Sequence, residues 1–509
     1  LGEREEVSVV FDELEEVADA IVEVVKGRIA QLAQLQEPTQ EEAGRMLRYT
    51  AYELADSLSG VSSKQLEIIF GGHDFFHSVF GRKLKGKERR EALRLGTAFL
   101  FVNQVLFYAL LSQSAQKAGM PEKYPAIEAL DKSDPRMLQE KYFSRVREKD
   151  YEPIYGPNAA YHFKAGQISV PLGELVDTIT VLASKLQVPD LVGQVFQNLI
   201  PFAIRKPLGA HYTNPNAAML LAKVAVSTPR QKVLDPACGS GTLLVASYRE
   251  KARLAGNVDR HTIHKQFVEE DITGIDAMAF SCHLAAVNLA LQQPLADTDY
   301  VRIGTEDSTR KHPNDVIQPM SELWPEELTQ TKISDTFRAR PSRKKEVRRI
   351  PTLTKEETEP IKLEPVDIVV MNPPFTSQNN LATDYKNALK RRFSIPAAHK
   401  QVVFWKTSQQ VYFVLLADRF LKQNGVMAAV LPFTTFTGRA FHELIKFLVA
   451  KYTIRLIVVG LGQASFSEDT SLMECLLVAS KETPSPDASF NLIGTKLPPS
   501  QWTSDTIDS

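Results

Sequence analysis

The sequence predicts an α/β fold: a mainly parallel sheet preceded by a helical N-terminal domain. Two observations predict it. After about Asn198, short apolar runs alternate with helical stretches: KVLDPAC, DITGID, VDIVVMNPPF, GVMAAVLP, IRLIVVGLG and MECLLVAS. Strands separated by helices favour parallel pairing, because each crossover brings the chain back in the same direction. Before that point the spacing is helical instead. FDELEEVADAIVEVVKGRIAQLAQL, from Phe11, repeats apolar residues at intervals of three and four.

Each segment follows from its own residues. Residues 1–195 read as the helical domain, with ALRLGTAFLFVNQVLFYALLSQSAQKAG as a buried helix ending at Gly119, a C-cap. Residues 196–481 carry the six strand-like runs. Within them, 309–365 has scattered prolines and few apolar runs, as expected of an insert. Residues 482–509 (ETPSPDAS, KLPPS) are rich in Pro and Ser and read as a tail or linker.

Composition narrows the function. Sixty Lys and Arg face 61 Asp and Glu, a net charge of −1, so any nucleic-acid contact needs a local basic patch. Three cysteines (Cys238, Cys282, Cys475) without a CxxC pair exclude a disulfide scaffold and a zinc finger, and fit a reducing, cytoplasmic setting. The apolar run Ala98–Leu111 is too short to span a bilayer and is broken by Asn103 and Gln104, so no membrane is expected. The chain begins with Leu1 rather than Met, which fits a fragment, and nothing rests on its first residues.

The first motif is DPACGSGTLL, between a strand ending at Leu234 and a helix. Asp235 stands at the strand's carboxyl end, where open α/β sheets bind ligands. Gly239 and Gly241 allow a tight turn and close approach of the backbone, and the helix amides beyond face the ligand. The Gly-Lys-Ser/Thr ending of a phosphate loop is missing, and so is the dinucleotide GxGxxG. An acid ahead of the glycines suits a cationic or amino-bearing ligand. S-adenosylmethionine (AdoMet) has an ammonium and a sulfonium.

The second motif, Asn372-Pro373-Pro374-Phe375, ends an apolar strand. The prolines stop the strand and stiffen the backbone. The motif resembles the Asn-Pro-Pro-aromatic element of adenine-N6 DNA methyltransferases, whose substrate, the adenine N6 amine, is a poor nucleophile because its lone pair is delocalised into the ring. Two acceptors aimed at its N–H groups favour a localised lone pair, and the Asn372 oxygen and Pro373 carbonyl are acceptors of that kind. Phe375 offers a stacking face. The base must leave the duplex to reach them.

Together these motifs resemble those of adenine-N6 DNA methyltransferases in the gamma arrangement. The order also resembles type I restriction-modification modification subunits and type IIG enzymes. The resemblance covers about Leu199 to Lys481 and implies a Rossmann-like AdoMet-dependent methyltransferase sheet. It implies AdoMet contacts at Ala237, Cys238 and Thr242, besides Asp235, Gly239 and Gly241. LGAHYTNP resembles the family's element lining the methionine end of AdoMet, with Tyr212 and Thr213 as contacts; His211 replaces the usual aromatic, and Asn214 separates Thr213 from Pro215. Asp276, at the next strand's end, fits the ribose hydroxyls, or a helix N-cap. It lies 41 residues after Asp235, where about 20 is usual, so an extra helix is expected between them. Asp307 fits the family's acid near the adenine amine, or a turn. Phe466 fits the second face of a flipped base, or a core position.

The basic run RARPSRKKEVRR lies in the insert. Arg338, Arg340, Arg343, Lys344 and Lys345 are the phosphate contacts expected there, against a solvated loop as the plain alternative. Only 28 residues follow Lys481, too few for a target-recognition region. Either that region was trimmed, or recognition comes from a partner or from the helical N-terminal domain; the resemblance implies double-stranded DNA as substrate, with a separate specificity subunit and a restriction subunit as candidate partners. Two other readings stay open: a protein-glutamine or RNA methyltransferase, since Asn-Pro-Pro-[FY] also occurs there, and a non-catalytic AdoMet- and DNA-binding subunit. Cytosine N4 is disfavoured, because that group more often has Ser at the Asn372 position.

Overall fold

In the computed structural model, the described residues are 40–66, 86–147, 155, 159–185, 213–317, 360–376, 381–396, 401–402, 408–467, 472–503 and 507, apart from 64, 257, 297, 299, 394, 463 and 486. The helix expected from Phe11, the boundary at 195/196, and the basic run of the insert lie outside them.

Eight strands form the main sheet: β1 (Val233–Asp235), β2 (Ile272–Asp276), β3 (Ile303–Thr305), β4 (Val366–Met371), β5 (Leu421–Pro432), β6 (Thr453–Gly460), β7 (Glu474–Ser480) and β8 (Asn491–Thr495). Their order is β3-β2-β1-β4-β5-β7-β6-β8. β7 runs antiparallel to both β5 and β6, and the other pairings are parallel. The order reverses between β1 and β4, and such switch points hold ligands at the strands' carboxyl ends. Asp235 and Asn372 stand at those two ends.

The strands read as continuous apolar runs because both faces are covered. Side chains alternate between two cores. Val233, Ile368, Val370, Ala428 and Val430 enter one, packed under α4 (Pro215–Ala225), α5 (Thr242–Ala255) and α7 (Ala279–Ala290). Leu234, Val369, Met371, Ala429 and Leu431 enter the other, with α9 (Gln410–Phe420) and α10 (His442–Lys451). The long gap between Asp235 and Asp276 holds α5 and also α6 (Arg260–Gln266), the extra helix that the spacing demanded.

The N-terminal region is helical, with α1 (Gln40–Ser57), α2 (Gly86–Lys117) and α3 (Ala165–Lys185). Gly119, at φ +73°, ends α2 as expected, and Met120 N–H returns to the Ala115 carbonyl at 2.8 Å. α2 is longer than its apolar run implied. By length and composition it could cross a bilayer, but its apolar stretch is buried in protein. The helical core takes in Leu284, Val287, Ala290 and Leu291, one side of α7. The opposite side of the same helix (Cys282, Ala285, Ala286, Leu289) belongs to the sheet's core.

Two expectations need revision or restatement. The segment after Lys481 is not a bare linker. Residues 491–495 pair in parallel with β6, and Trp502 packs on Phe466 with ring centroids 6.0 Å apart. Its Pro and Ser content masked a short, exposed edge strand. At the ends of the expected insert, Val316–Ile317 pairs with Ile361–Lys362 as a small antiparallel ribbon, which brings the chain back beside its point of departure.

Candidate active site

The glycine turn follows β1. Cys238 N–H donates to the Ile275 carbonyl at 3.0 Å, and Gly241 N–H to the Cys238 carbonyl at 2.7 Å. Gly239 and Gly241 take positive φ, +51° and +82°. A Cβ on Gly239 would meet nothing within 4 Å, whereas one on Gly241 would lie 3.0 Å from Ala285 of α7. Gly239 therefore borders open space, and Gly241 is needed for packing. Asn288, also on α7, donates to the Ser240 carbonyl at 2.8 Å and pins the turn from behind. Thr242 opens α5, with its hydroxyl 3.3 Å from that of Ser240.

Two acids flank this turn. Asp235 is 1% exposed, and its Oδ1 accepts the Ala237 N–H at 3.0 Å. Asp276 accepts N–H groups from Gly239 at 3.0 Å and Met278 at 2.8 Å. Burial holds both carboxyls above their ordinary range, and the charge of Asp276 adds to the effect on Asp235. Desolvated acids beside an open cradle suit a ligand bearing hydrogen-bond donors or positive charge. A hydrogen bond with the neighbouring Cys282, and then burial, push the Cys238 thiol upward, so it is a packing group and not a thiolate nucleophile.

Asn372 leaves β4 beside this turn. Its Nδ2 donates to Thr213 Oγ1 and to Ser467 Oγ, each at 3.0 Å. Its Oδ1 is buried and has no hydrogen-bond partner among the described residues. The two hydroxyls fix the amide's orientation, with its acceptor end left over. Pro373 is buried, and Pro374 and Phe375 are half-buried. Phe375 packs on the sheet's core. The carbonyl of Thr376 accepts the N–H of Gln409, which ties the loop to α9.

The structure redistributes several expected roles. Thr213 is placed against Asn372 and pairs with Ser467 in an isolated antiparallel bridge, so its hydroxyl serves the amide. Tyr212 lies outside the described residues, as do Arg338, Arg340, Arg343, Lys344 and Lys345. Asp307 is not a free acid: it accepts from Thr309 Oγ1 at 2.6 Å, Arg310 Nε at 3.0 Å and Arg392 Nη1 at 3.3 Å, and it caps a short helical turn. Phe466 is 0% exposed, against Trp502 in the core, so its ring presents no face to a base. Its backbone carbonyl instead accepts Asn214 N–H at 2.8 Å.

Sequence reading missed Ser467, Asn288 and Glu474. Glu474 alone left a signal, a charge opening an otherwise apolar strand (ECLLVAS).

A doubly wound sheet with one reversed strand, a glycine turn after β1 and an Asn-Pro-Pro-Phe loop after β4 define a Rossmann-like methyltransferase. Comparison with known proteins gives two family matches, each over part of the chain. Residues 187–323 match the N-6 DNA Methylase family, and residues 270–465 match the Eco57I restriction-modification methylase family. Over residues 187–465 the chain is similar to adenine-N6 DNA methyltransferases of the restriction-modification kind. Among solved structures, the DrdV–DNA complex shares the fold, with a TM-score of 0.52 at 14% identity over 92% of this chain and 43% of that one. The type I restriction-modification methyltransferase subunit of Streptococcus thermophilus matches at 16% identity over 92% of both chains, with a TM-score of 0.45. The type IIG restriction endonuclease BpuSI matches at 17% identity, with a TM-score of 0.47, over 84% of this chain and 41% of its own.

Proposed function

We propose that the chain methylates N6 of an adenine turned out of double-stranded DNA, with Asn372 as the residue that receives the amine. One observation carries the reading. The Asn372 amide is held at its NH2 end by two hydroxyls, while its buried Oδ1 has no partner among the described residues. An unsatisfied buried acceptor is costly for the fold, and it is what an N–H donor from a substrate would complete.

Asn372 Oδ1 accepts one N–H of the amine, and the Pro373 carbonyl accepts the other. Together they hold the nitrogen with its lone pair out of conjugation with the ring. The proline-stiffened loop keeps both acceptors in place before the base arrives, so little reorganisation is needed. Phe375 supplies the face on which the base rests. AdoMet, when bound, supplies the methyl group as an electrophile on a positively charged sulfur. Asp235, Asp276 and the open side of Gly239 are the residues that would hold it, with Ala237, Cys238 and Thr242 lining the turn.

Duplex DNA is the substrate that fits the family, and separate specificity and restriction subunits are the partners. Three free, buried cysteines suit a cytoplasmic setting. The test is transfer of a tritiated methyl group from AdoMet to DNA, RNA and protein, followed by nucleoside analysis. Label in N6-methyladenine of DNA is expected. Label in RNA, in protein glutamine or in N4-methylcytosine would overturn the assignment.

A further inference from the structure

The hydroxyl of Ser467 holds Asn372, and the turn that carries Ser467 is itself held by a buried acid. Glu474, the first residue of β7, is 0% exposed. Its Oε2 accepts three donors: Ser467 N–H at 2.7 Å, Ser465 Oγ–H at 2.8 Å and Phe466 N–H at 2.9 Å. Its Oε1 is buried and has no partner among the described residues. The turn is thus a small nest of donors around one carboxylate oxygen.

A structural purpose alone is a poor explanation for this arrangement. A carboxylate in an apolar core is expensive, and leaving one oxygen bare adds to the cost. Burial pushes the Glu474 carboxyl upward, against the pull of its donors. What the acid secures lies one step further on. The Phe466 carbonyl in the same turn accepts Asn214 N–H, and Ser467 bridges to Thr213. Both hydroxyls that grip Asn372 Nδ2 therefore sit on segments joined through this one turn.

We propose that Glu474 is a positioning residue for methyl transfer: through the Ser465–Ser467 turn it fixes the Thr213 and Ser467 hydroxyls, and so directs Asn372 Oδ1 toward the substrate amine. Its catalytic importance rests on Asn372 receiving the adenine amine, as proposed above.

The test uses the full chain with Glu474→Gln, Ser467→Ala and the double variant. Glu474→Gln keeps the shape and removes the charge. Each single change is expected to lower kcat for adenine methylation about 10-fold, the upper end of the scale of one hydrogen bond. KM for DNA and AdoMet affinity should hardly move. The double variant should lose no more than the worse single, because both changes cut one chain of contacts.

A second readout does not depend on activity. The side-chain amide protons of Asn372, assigned by their loss in Asn372→Asp, should exchange slowly in the wild type and about 10-fold faster in Glu474→Gln. Unchanged amide exchange in Glu474→Gln overturns the proposal, as do additive kcat losses that track a fall in AdoMet affinity. Faster exchange in a protein whose wild type leaves adenine unmethylated would support the relay and refute the substrate instead. If Glu474→Gln does not fold, Ser465→Ala removes one donor from the carboxylate and is read the same way.

Discussion

Gly239 and Gly241 share a left-handed backbone but answer to different neighbours. Alanine at either position carries a penalty of about 1–2 kcal/mol for that conformation. At Gly239 the added methyl points into open space beside Asp276, where the proposed AdoMet contacts are. Gly239→Ala should therefore fold with modest loss of stability and bind AdoMet at least about 10-fold more weakly, as read by calorimetry. At Gly241 the methyl meets Ala285 at 3.0 Å. Gly241→Ala should add about 1–3 kcal/mol of overpacking, visible in chemical denaturation. Equal stability losses in the two variants would contradict this division of roles. Both glycines were legible in the sequence, as were Asp235 and Asn372, because each sits in a short local motif. Ser467 and Glu474 were not. The bond from Ser467 to Asn372 spans 95 residues, and only the return of β7 beside β5 creates it. Phe466 and Asp307 resisted for the converse reason: their sequence contexts fit a site, but core packing and ion pairing consume them.

Strands were legible where long Val- and Ile-rich runs end in Pro, Gly or Asp. β3 (Ile303–Thr305) was missed because no motif flanks it, unlike the equally short β1 with its glycine turn, and β8 because an exposed edge strand carries no buried run. The helices give a prediction of their own. His264 on α6 is fully buried, and its Nδ1 lies 2.8 Å from the Tyr248 hydroxyl of α5. Burial pushes its pKa down to about 4. The folded state therefore binds fewer protons than the unfolded chain between that value and the ordinary 6.5. Stability from this group is fully present above the unfolded pKa and is lost as pH falls through the folded one. The loss should reach about 3 kcal/mol. Urea denaturation across that range should show the decline, and His264→Asn should flatten it. A profile that His264→Asn leaves unchanged would contradict a neutral buried imidazole.

For the whole molecule, α7 couples the two cores. One side packs with the helical domain through Leu284, Val287 and Leu291, and the other supports the glycine turn through Ala285 and Asn288. Sequence showed a helical half and an α/β half but could not show this shared helix, since its apolar residues surround it on all sides. The two halves should unfold as one transition in scanning calorimetry, with equal calorimetric and van't Hoff enthalpies. Val287→Asp should split it in two, whereas a split transition in the wild type would show that the halves are independent. Function also belongs to this scale, because the proposed amine pocket needs segments at Thr213, Asn372 and Ser467 brought together by the sheet. The most direct measurement compares the wild type with Asn372→Ala, reading N6-methyladenine in DNA by nucleoside mass spectrometry and AdoMet affinity by calorimetry. The predicted result is methylation by the wild type and a fall of at least about 100-fold in the variant, with AdoMet affinity retained. Undiminished methylation by a variant that still binds AdoMet would contradict the central role given to Asn372.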